Sequence, residues 1–252
     1  MTTLVAERSY RKVATNSDVV ARLFAPERVN DCEWRCRIEL HGLTSPVDRS
    51  IIGGDSFQAL YLGLQLLCRL LADDEAELAS LDGASGDADI PLVTSCCFPQ
   101  TRTEALRFVT QRDQELLDAL PGPVSSVPPE SVPGTPMTDI VAERVLRDVT
   151  TDAAVVARLS APKRAAATRW SCEFEVRGLG RPMAQAISGA DSFQALYLGL
   201  RAICVHLEQH EHRLALPFDG APSGDAGLPF ISFCPPQAKQ EAHRYLRDKL
   251  MA

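Results

Sequence analysis

The stretch Asp55-Ser-Phe-Gln-Ala-Leu-Tyr-Leu-Gly-Leu64 occurs twice in this chain, because the same ten residues return without a change at 191–200. The surrounding residues recur at the same offset of 136 positions. Val5-Ala-Glu-Arg8 returns as Val141-Ala-Glu-Arg144, and Trp34-x-Cys36 returns as Trp170-x-Cys172. We therefore interpret the chain as two tandem repeats of one domain, each of a size that can bury a core.

A proline-rich segment separates the two repeats. Residues 121–136 contain six prolines, which exclude a helix or a central strand, so we predict a semi-extended linker there. The first repeat then covers residues 1–120 and the second covers residues 137–252. If the repeats pack on each other, the chain is an intramolecular pseudo-dimer and is expected to be a monomer in solution.

Each repeat is predicted to begin with strands. In residues 34–41 apolar residues alternate with polar ones, which is the two-residue period of a half-buried strand. The equivalent residues 170–177 keep the apolar face and change the polar one. We predict further short strands at 4–13, 18–24 and 48–53, with Glu7 on the same face as Val5 and Val13.

A long helix follows in each repeat. Asp55 is a good N-cap, and Gln58 three residues later can complete a capping box. The helix carries two apolar rows, so both of its faces need burial. We expect one face to lie on the sheet of its own repeat and the other on the sister helix, where Gly63 and Gly199 allow close approach. Alternatively, the C-terminal segment of the same repeat covers the second row.

The remaining pattern completes an α+β fold. Residues 90–95 and 228–233 are short apolar runs typical of edge strands, and helices are predicted at 102–120 and 241–251. Each repeat is therefore expected to form an antiparallel sheet of about four strands, with the long helix across one face and a C-terminal helix.

Composition and charge exclude several classes of protein. The net charge is −7, and residues 1–120 hold 12 Lys/Arg against 19 Asp/Glu, so the chain lacks the basic stripe of a nucleic-acid binder. No apolar run approaches the roughly 20 residues of a membrane span. The first residues lack a signal-peptide pattern, so we expect a cytoplasmic protein with no membrane contact. The acidic first repeat favours a basic protein partner.

The polar residues that recur in both repeats do not form a recognisable catalytic set. Capping explains the recurring Asp and Gln, and pairing between neighbouring strands explains the recurring Arg and Glu. We therefore predict no enzyme activity, no catalytic residue and no cofactor. The recurring polar residues of the first repeat are Glu7, Arg8, Arg22, Glu39, Asp55 and Gln58.

Two groups of residues raise the possibility of a metal site. His206 and His210 lie one helical turn apart, with His212 two residues later, and the eight cysteines include Cys32-x-x-x-Cys36. Neither group recurs in the other repeat, so we predict no metal site and interpret the cysteines as plain thiols.

Two other groups are candidates for contact with a partner. Acidic residues at the predicted end of the first long helix oppose the helix dipole, a placement that a basic partner would stabilise. The polar face of the strand at 34–41 differs between the repeats. The predicted contact residues are Asp73, Asp74, Glu75 and Glu77 in the first group and Arg35, Arg37 and Glu39 in the second.

The second repeat resembles a family of small bacterial proteins with no assigned activity. The resemblance rests on Ile140-Val-Ala-Glu-Arg144, Trp170-x-Cys172, Gly178-Leu179, Gly189-x-Asp-Ser-x-Gln-Ala-Leu-x-Leu198 and Gly227-Leu-Pro229. It implies that the unit is normally a single domain. Because these motifs determine the fold, the resemblance implies architecture and no particular function.

Three functional hypotheses follow from the sequence. The first is a non-catalytic cytoplasmic binding protein, in its most specific form an immunity protein that neutralises a basic toxin or enzyme. The second is a small enzyme or ligand-binding module with a pocket at the seam between the repeats. That pocket is predicted to be deep, lined by unlike residues of the two repeats, with Arg22, Arg158, His41 or His243 pointing into it. The third is a structural or regulatory subunit of a larger complex.

Overall fold

The computed structural model describes most of both repeats and little of the segments that follow them. The described residues are 3–43, 45–72, 74, 77–81, 88, 90–94, 111, 130–131, 137–180, 182–218, 224 and 226–232. The predicted C-terminal helices at 102–120, apart from Gln111, and at 241–251 lie outside this part, as does most of the predicted linker.

Each repeat forms a series of strands interrupted by one long helix. The first repeat contains β1 (Leu4–Lys12), β2 (Ser17–Phe24), β3 (Glu27–Arg28), β4 (Trp34–His41), β5 (Val47–Gly53), α1 (Ser56–Ala72), β6 (Leu78–Ser80) and β7 (Leu92–Thr94). After β8 (Glu130–Ser131), the second repeat contains β9 (Ile140–Asp148), β10 (Ala153–Ser160), β11 (Lys163–Ala166), β12 (Arg169–Arg177), β13 (Met183–Gly189), α2 (Ser192–Glu208), β14 (Leu214–Ala215) and β15 (Phe230–Ser232). A short 3-10 turn, Glu211–Arg213, joins α2 to β14.

The strands form two larger antiparallel sheets, one for each repeat. In the first sheet β1 pairs with β2 and β6, β2 pairs with β4, and β4 also pairs with β3 and β5. The second sheet repeats this order with β9, β10, β12, β11, β13 and β14, and β8 adds to the edge at β13. The sheets thus hold six and seven strands rather than about four, because the short segments β3 and β6 pair in the first sheet and β8, β11 and β14 in the second. The α+β class is confirmed.

The apolar side chains that alternate along β4 are buried, as predicted. Cys36, Ile38 and Leu40 are completely buried, and the second repeat buries Cys172, Phe174 and Val176 at the same positions. Arg35 and His41 are exposed at the solvent face. The apolar set therefore fixes which face of each sheet is turned inward.

The inner face of β1 differs from the prediction. The pairing between β1 and β2 shifts between Leu4 and Ala6, and after this bulge Ala6, Arg8 and Tyr10 point inward. Glu7 is only half-buried and Val13 lies exposed beyond the strand. The predicted face with Val5, Glu7 and Val13 was therefore wrong, and an arginine occupies the buried side of the strand.

The two helices begin as predicted. The backbone N–H of Gln58 donates to Asp55 Oδ1 at 2.5 Å, while Gln58 Oε1 accepts from the N–H of Gly54 at 2.7 Å. Asp191 and Gln194 repeat this arrangement at α2. In an ordinary capping box the Gln58 side chain would bond to the N–H of the N-cap, Asp55, whereas here it bonds to the N–H of the preceding residue, Gly54.

The first apolar row of each helix is buried and the second is only partly buried, with Val205 on α2 48% exposed, and the sister helix is not what covers them. Helix α1 packs on β4, β5 and β7 of its own repeat and on β9 of the other, and α2 packs on β12, β13 and β15 of its own repeat and on β1. The C-terminal segment of each repeat thus also packs on its own helix, in line with the alternative prediction. The predicted role of Gly63 and Gly199 was therefore wrong. A Cβ added at Gly63 would lie 2.8 Å from Cys36 Sγ, so this glycine allows the helix to approach its own sheet. The two helices lie between the two sheets, and the buried residues form one core that both repeats share.

A further strand pair connects the repeats. Strands β7 and β15 occupy equivalent places in the two repeats, and they pair with each other in an antiparallel ladder. Ile90, Val93 and Leu228 around this pair are buried in the shared core. The predicted edge strands at 90–95 and 228–233 thus join the repeats rather than ending their sheets.

Candidate functional site

The recurring Ala-Glu-Arg and Asp-Ser motifs meet each other across the seam between the repeats. Arg8 Nε on β1 donates to Asp191 Oδ2 at 2.6 Å. In the equivalent pair, Arg144 Nε and Nη2 donate to Asp55 Oδ2 and Oδ1 at 2.9 and 3.1 Å. Because each aspartate is the N-cap of a long helix, each repeat supplies the arginine that neutralises the N-cap of the other.

Serines beside these aspartates strengthen the same contact. Ser192 Oγ accepts from the backbone N–H of Glu7 at 2.9 Å and donates to its carbonyl at 3.1 Å. Ser56 Oγ makes the matching pair of bonds with the backbone of Glu143, at 2.8 and 3.2 Å. The first strand of each repeat is therefore held on the start of the sister helix by main-chain and side-chain bonds together.

The seam arginines are buried charges, each held by an ion pair and by aromatic rings. The side chains of Arg8 and Arg144 are each only 2% exposed. Arg144 lies over the rings of Phe57 and Tyr61, 5.1 and 5.8 Å from their centroids, and its Nη1 donates to the carbonyl oxygens of Ala226 and Gly227. These contacts hold the guanidinium in place.

The charge of Arg8 is stable at any working pH. Burial by itself would lower the pKa of Arg8, but the interactions with Tyr10 and Asp191 outweigh it and raise that pKa above its ordinary value. Burial also raises the pKa of the neighbouring Tyr10. Arg8 therefore keeps its positive charge beside Asp191.

Two cavities open along the seam, one at each copy of the motif. The Trp34 cavity, of about 780 Å³, is lined by Trp34, Asp55, Glu143, Arg144 and Phe218 among others. The Trp170 cavity, of about 580 Å³, is lined by Glu7, Arg164, Trp170 and Asp191 among others. The seam thus places each of the two tryptophans of the chain in a separate cavity.

The two cavities differ in charge although they share their position. Asp31 and Cys32 line the Trp34 cavity, whereas Ala167 and Thr168 stand at the equivalent positions of the Trp170 cavity. Arg164 lines the Trp170 cavity, but its counterpart Arg28 instead donates to Asp31 at 2.9 Å. The Trp34 cavity therefore has an additional carboxylate, and the Trp170 cavity has a guanidinium in the corresponding region.

The rim of the Trp34 cavity is apolar and exposed. Ile140, Val145 and Phe218 line this cavity and are 42%, 38% and 57% exposed. Leu4 and Leu81, each 45% exposed, line the Trp170 cavity. Large apolar side chains that remain exposed around a cavity are typical of a surface that another molecule covers.

A family model matches the chain twice, at residues 6–91 and 142–230, and its description is a domain of unknown function, DUF6968. The chain belongs to the DUF6968 family. One match lies in each repeat, so the tandem duplication inferred from the sequence is confirmed. No curated protein and no solved structure matched the chain.

Within each DUF6968 repeat, some of the recurring polar residues pair between neighbouring strands, as predicted. Arg22 Nε donates to Glu7 at 2.6 Å, and Arg158 Nε donates to Glu143 at 2.5 Å. The prediction was wrong for Arg8 and its counterpart, which bind the sister repeat instead. A signal for this was present in the sequence: Arg8 stands between the apolar residues Ala6 and Tyr10 at a spacing of two.

The predicted contact residues of β4 lie on the outer face of the first sheet, away from the seam. Arg37 binds Asp48 through two bonds of 2.8 and 2.7 Å, and its Nη2 lies 2.7 Å from Glu39. Glu39 also approaches Arg22 at 3.6 Å and is 14% exposed. Arg35 is exposed, opposite Glu27 in the ladder. The outer face is thus a row of alternating charges that largely satisfies itself.

The predicted acidic group is described only in part. Lys12 Nζ lies 3.6 Å from Asp74 Oδ1 and 3.1 Å from Glu77 Oε2, so a lysine of β1 balances this part of the group. Asp73 and Glu75 lie outside the described residues. The structure brings Asp74 and Glu77 together with each other but not with Arg35, Arg37 or Glu39.

Cavities lie at the seam, as the second hypothesis predicted, but the arginines and the histidine that it named among the described residues do not line them. Among the residues that the structure describes, Arg22, Arg158 and His41 line neither cavity, because they lie on outer sheet faces. His243 lies outside the described part of the chain. Each cavity is lined by unlike residues of the two repeats, as that hypothesis predicted: the Trp34 cavity combines Trp34 and Asp55 of the first repeat with Glu143 of the second, and the Trp170 cavity has the mirrored combination.

The described residues contain no group of three or more His, Cys, Asp and Glu side chains that could hold a metal ion. The rings of His206 and His210 are 5.8 Å apart, and burial together with His210 lowers the pKa of His206. Cys36 is buried, which raises the pKa of its thiol to about 12, whereas Cys32 is exposed. Cys96, Cys97 and Cys234 lie outside the described residues.

Membrane insertion through a helix has no support in the described part of the chain. Neither α1 nor α2 combines the length and the apolar character that a membrane-spanning helix requires.

Proposed function

We propose that this protein is a non-catalytic binding protein that holds a protein partner at the Trp34 cavity. The observation that carries the proposal is the exposed apolar rim of this cavity, formed by Ile140, Val145 and Phe218. Apolar side chains cost free energy when water surrounds them, and a partner that covers them recovers it. Buried aromatic anchors in pockets supply much of the affinity of protein interfaces.

The difference between the two cavities supports a single binding site. Both cavities arise from the same duplicated seam, so the architecture alone would give two similar sites. Both cavities have exposed apolar residues and carboxylates, but only the larger one adds Asp31, and the smaller one is lined by Arg164. We interpret the Trp34 cavity as the site and the Trp170 cavity as its structural counterpart. The chain then acts as a monomer, because the second repeat already occupies the place of a partner subunit.

The most specific form of the proposal is an immunity protein for a basic toxin. The net charge of −7 supports it, since an acidic surface speeds and orients the approach of a basic protein. The proposal includes a cytoplasmic location, which the free thiol of exposed Cys32 supports because free thiols persist in a reducing compartment. Co-expression with the product of a neighbouring gene tests this form: rescue of growth from that product supports it, and unchanged toxicity contradicts it.

A second candidate function is the binding of a small molecule in the same cavity. The volume of about 780 Å³ favours it, since sites for small ligands commonly have about 300–1,000 Å³. This function predicts that purified protein is stabilised against heat by a small compound, whereas a protein-binding function predicts a stoichiometric protein partner.

Affinity capture with matched variants tests the main proposal. The tagged full-length protein is expressed in its source cells as wild type, as Phe218→Glu and as Leu81→Glu. Phe218 and Leu81 are similarly exposed apolar residues, but they line different cavities. The proposal predicts one stoichiometric partner that Phe218→Glu loses and Leu81→Glu retains. A partner retained by both variants, or no partner at all, contradicts it.

A further inference from the structure

We infer that the Trp34 cavity receives a lysine or arginine side chain of the protein partner. The inference rests on the proposed function and adds the chemistry of recognition. It depends on which charges of the cavity are accessible, on the tryptophan beside them, and on the contrast with the Trp170 cavity.

The accessible charges of the Trp34 cavity are negative. Its lining contains the carboxylates of Asp31, Asp55 and Glu143, whose side chains are 96%, 30% and 40% exposed. The guanidinium of Arg144 also belongs to the lining, but it is only 2% exposed and is bound by Asp55 and two carbonyl oxygens. An incoming ligand therefore meets carboxylate oxygens, and the more exposed guanidiniums nearby, Arg28 (57% exposed) and Arg158 (32% exposed), are each paired with one of these carboxylates and do not line the cavity.

The existing partners of Asp31 and Glu143 leave room for a further cation, whereas both oxygens of Asp55 already accept from Arg144. Arg28 donates to Oδ1 of Asp31, and Arg158 donates to Oε2 of Glu143. Each of these bonds uses one carboxylate oxygen, and a carboxylate has about four lone-pair positions that can accept hydrogen bonds. A lysine ammonium or an arginine guanidinium can therefore bind beside the existing arginines.

The tryptophan suits the remainder of such a side chain. Trp34 is half-buried at the start of β4 and lines the cavity together with Pro26 and Val141. A cation over an indole face is attracted by the ring, and the aliphatic part of lysine or arginine packs on apolar surface. The cavity thus offers carboxylates for the charged end of a long basic side chain and apolar surface for its aliphatic part.

The Trp170 cavity provides an internal control. It has the equivalent tryptophan and, in Glu7, an equivalent 39% exposed carboxylate, but it lacks a counterpart of Asp31, Arg164 lines it, and its Asp191 side chain is only 8% exposed. The guanidinium of Arg164 repels a basic side chain there, and the cavity presents less exposed carboxylate surface to it. The same ligand is therefore expected to distinguish two cavities of common origin.

Nuclear magnetic resonance of the full chain with ¹⁵N-labelled tryptophan tests the inference, because each indole N–H signal reports on one cavity. Trp34→Phe and Trp170→Phe assign the two signals. The probe is an acetylated and amidated tetrapeptide with arginine beside leucine, and its control has glutamate in place of arginine. The inference predicts that the arginine peptide shifts the Trp34 signal at millimolar concentration, with little effect on the Trp170 signal.

Asp31→Asn tests the charge without disturbing the core, since Asp31 lies in an exposed turn. It is expected to weaken binding of the arginine peptide by about two- to fivefold, the size of an exposed ion pair. Equal shifts of both tryptophan signals, equal binding of the glutamate peptide, or no shift at all would overturn the inference.

The outcomes also separate this inference from the proposed function. A captured protein partner that Asp31→Asn binds as well as wild type contradicts the basic side chain and leaves the function intact. Peptide binding at Trp34 without any captured partner supports the chemistry of the cavity and contradicts the protein-binding function.

Discussion

Replacement of Arg8 by methionine tests whether the seam holds the two repeats together. The change removes a guanidinium that is 2% exposed and leaves Asp191, 8% exposed, without its partner at 2.6 Å. Methionine keeps a similar length of aliphatic chain, so the main effect is an unpaired buried carboxylate. Loss of one partner of a buried ion pair costs about 3–5 kcal/mol of the free energy of unfolding.

Arg22→Met supplies the matched control. Arg22 also pairs with a glutamate at 2.6 Å, but both side chains are 39% exposed. Exposed ion pairs contribute about 1 kcal/mol or less. Because 1 kcal/mol changes the melting temperature of a chain of this size by about 2–4 °C, Arg8→Met should lower it by about 6–20 °C and Arg22→Met by less than about 4 °C.

Thermal and urea unfolding of the purified variants measure this difference. The double variant Arg8→Met with Asp191→Asn should recover about 2 kcal/mol over Arg8→Met, because asparagine still caps the helix and no unpaired charge remains. If Arg8→Met costs no more than Arg22→Met, or if Asp191→Asn brings no recovery, the seam pair does not stabilise the fold as argued.

Three further predictions concern two backbone glycines, the thiols, and the association of the two repeats when they are produced separately. Gly53→Ala should lower the free energy of unfolding in urea by about 2–3 kcal/mol, because its Cβ would lie 2.4 Å from the backbone of α1. Its control, Gly54→Ala, should change that free energy by less than about 0.5 kcal/mol, since Ala190 stands at the equivalent position. Cys32 should react with a thiol reagent near neutral pH in the native protein and Cys36 only after unfolding, because burial raises the pKa of Cys36 to about 12; equal labelling in peptide mapping would contradict this. The two repeats, produced separately by a cut in the linker, should co-purify as a one-to-one complex; separately folded monomers in size-exclusion chromatography would show that the shared core is not required.

The local structure could be predicted from the sequence because its causes are local. The alternation of Cys36, Ile38 and Leu40 with polar residues fixes the buried face of β4 without knowledge of any other element. Asp55 caps α1 by accepting a hydrogen bond from the backbone N–H of Gln58, only three residues away. The second repeat strengthened both predictions, since it showed which positions keep their character when the sequence changes.

The seam could not be predicted in the same way, because its contacts join distant residues. Arg8 and Asp191 are separated by 183 positions, and nothing near either residue indicates the other. An apolar row shows that a helix face is buried but not what covers it, so the sister helix was expected where β9 lies. The Trp34 cavity arises from residues of both repeats and exists only after they pack together.

Site-specific photo-crosslinking tests the central claim most directly. A photoreactive phenylalanine analogue replaces Phe218 at the Trp34 cavity in one form of the full-length protein and Val205 in another, and both are irradiated in the source cells. Val205 is 48% exposed on α2 and lies outside both cavities. A discrete crosslinked protein from position 218 that is missing from position 205 is the predicted result. The same products from both positions, or none from position 218, would contradict the claim that the Trp34 cavity holds a protein partner.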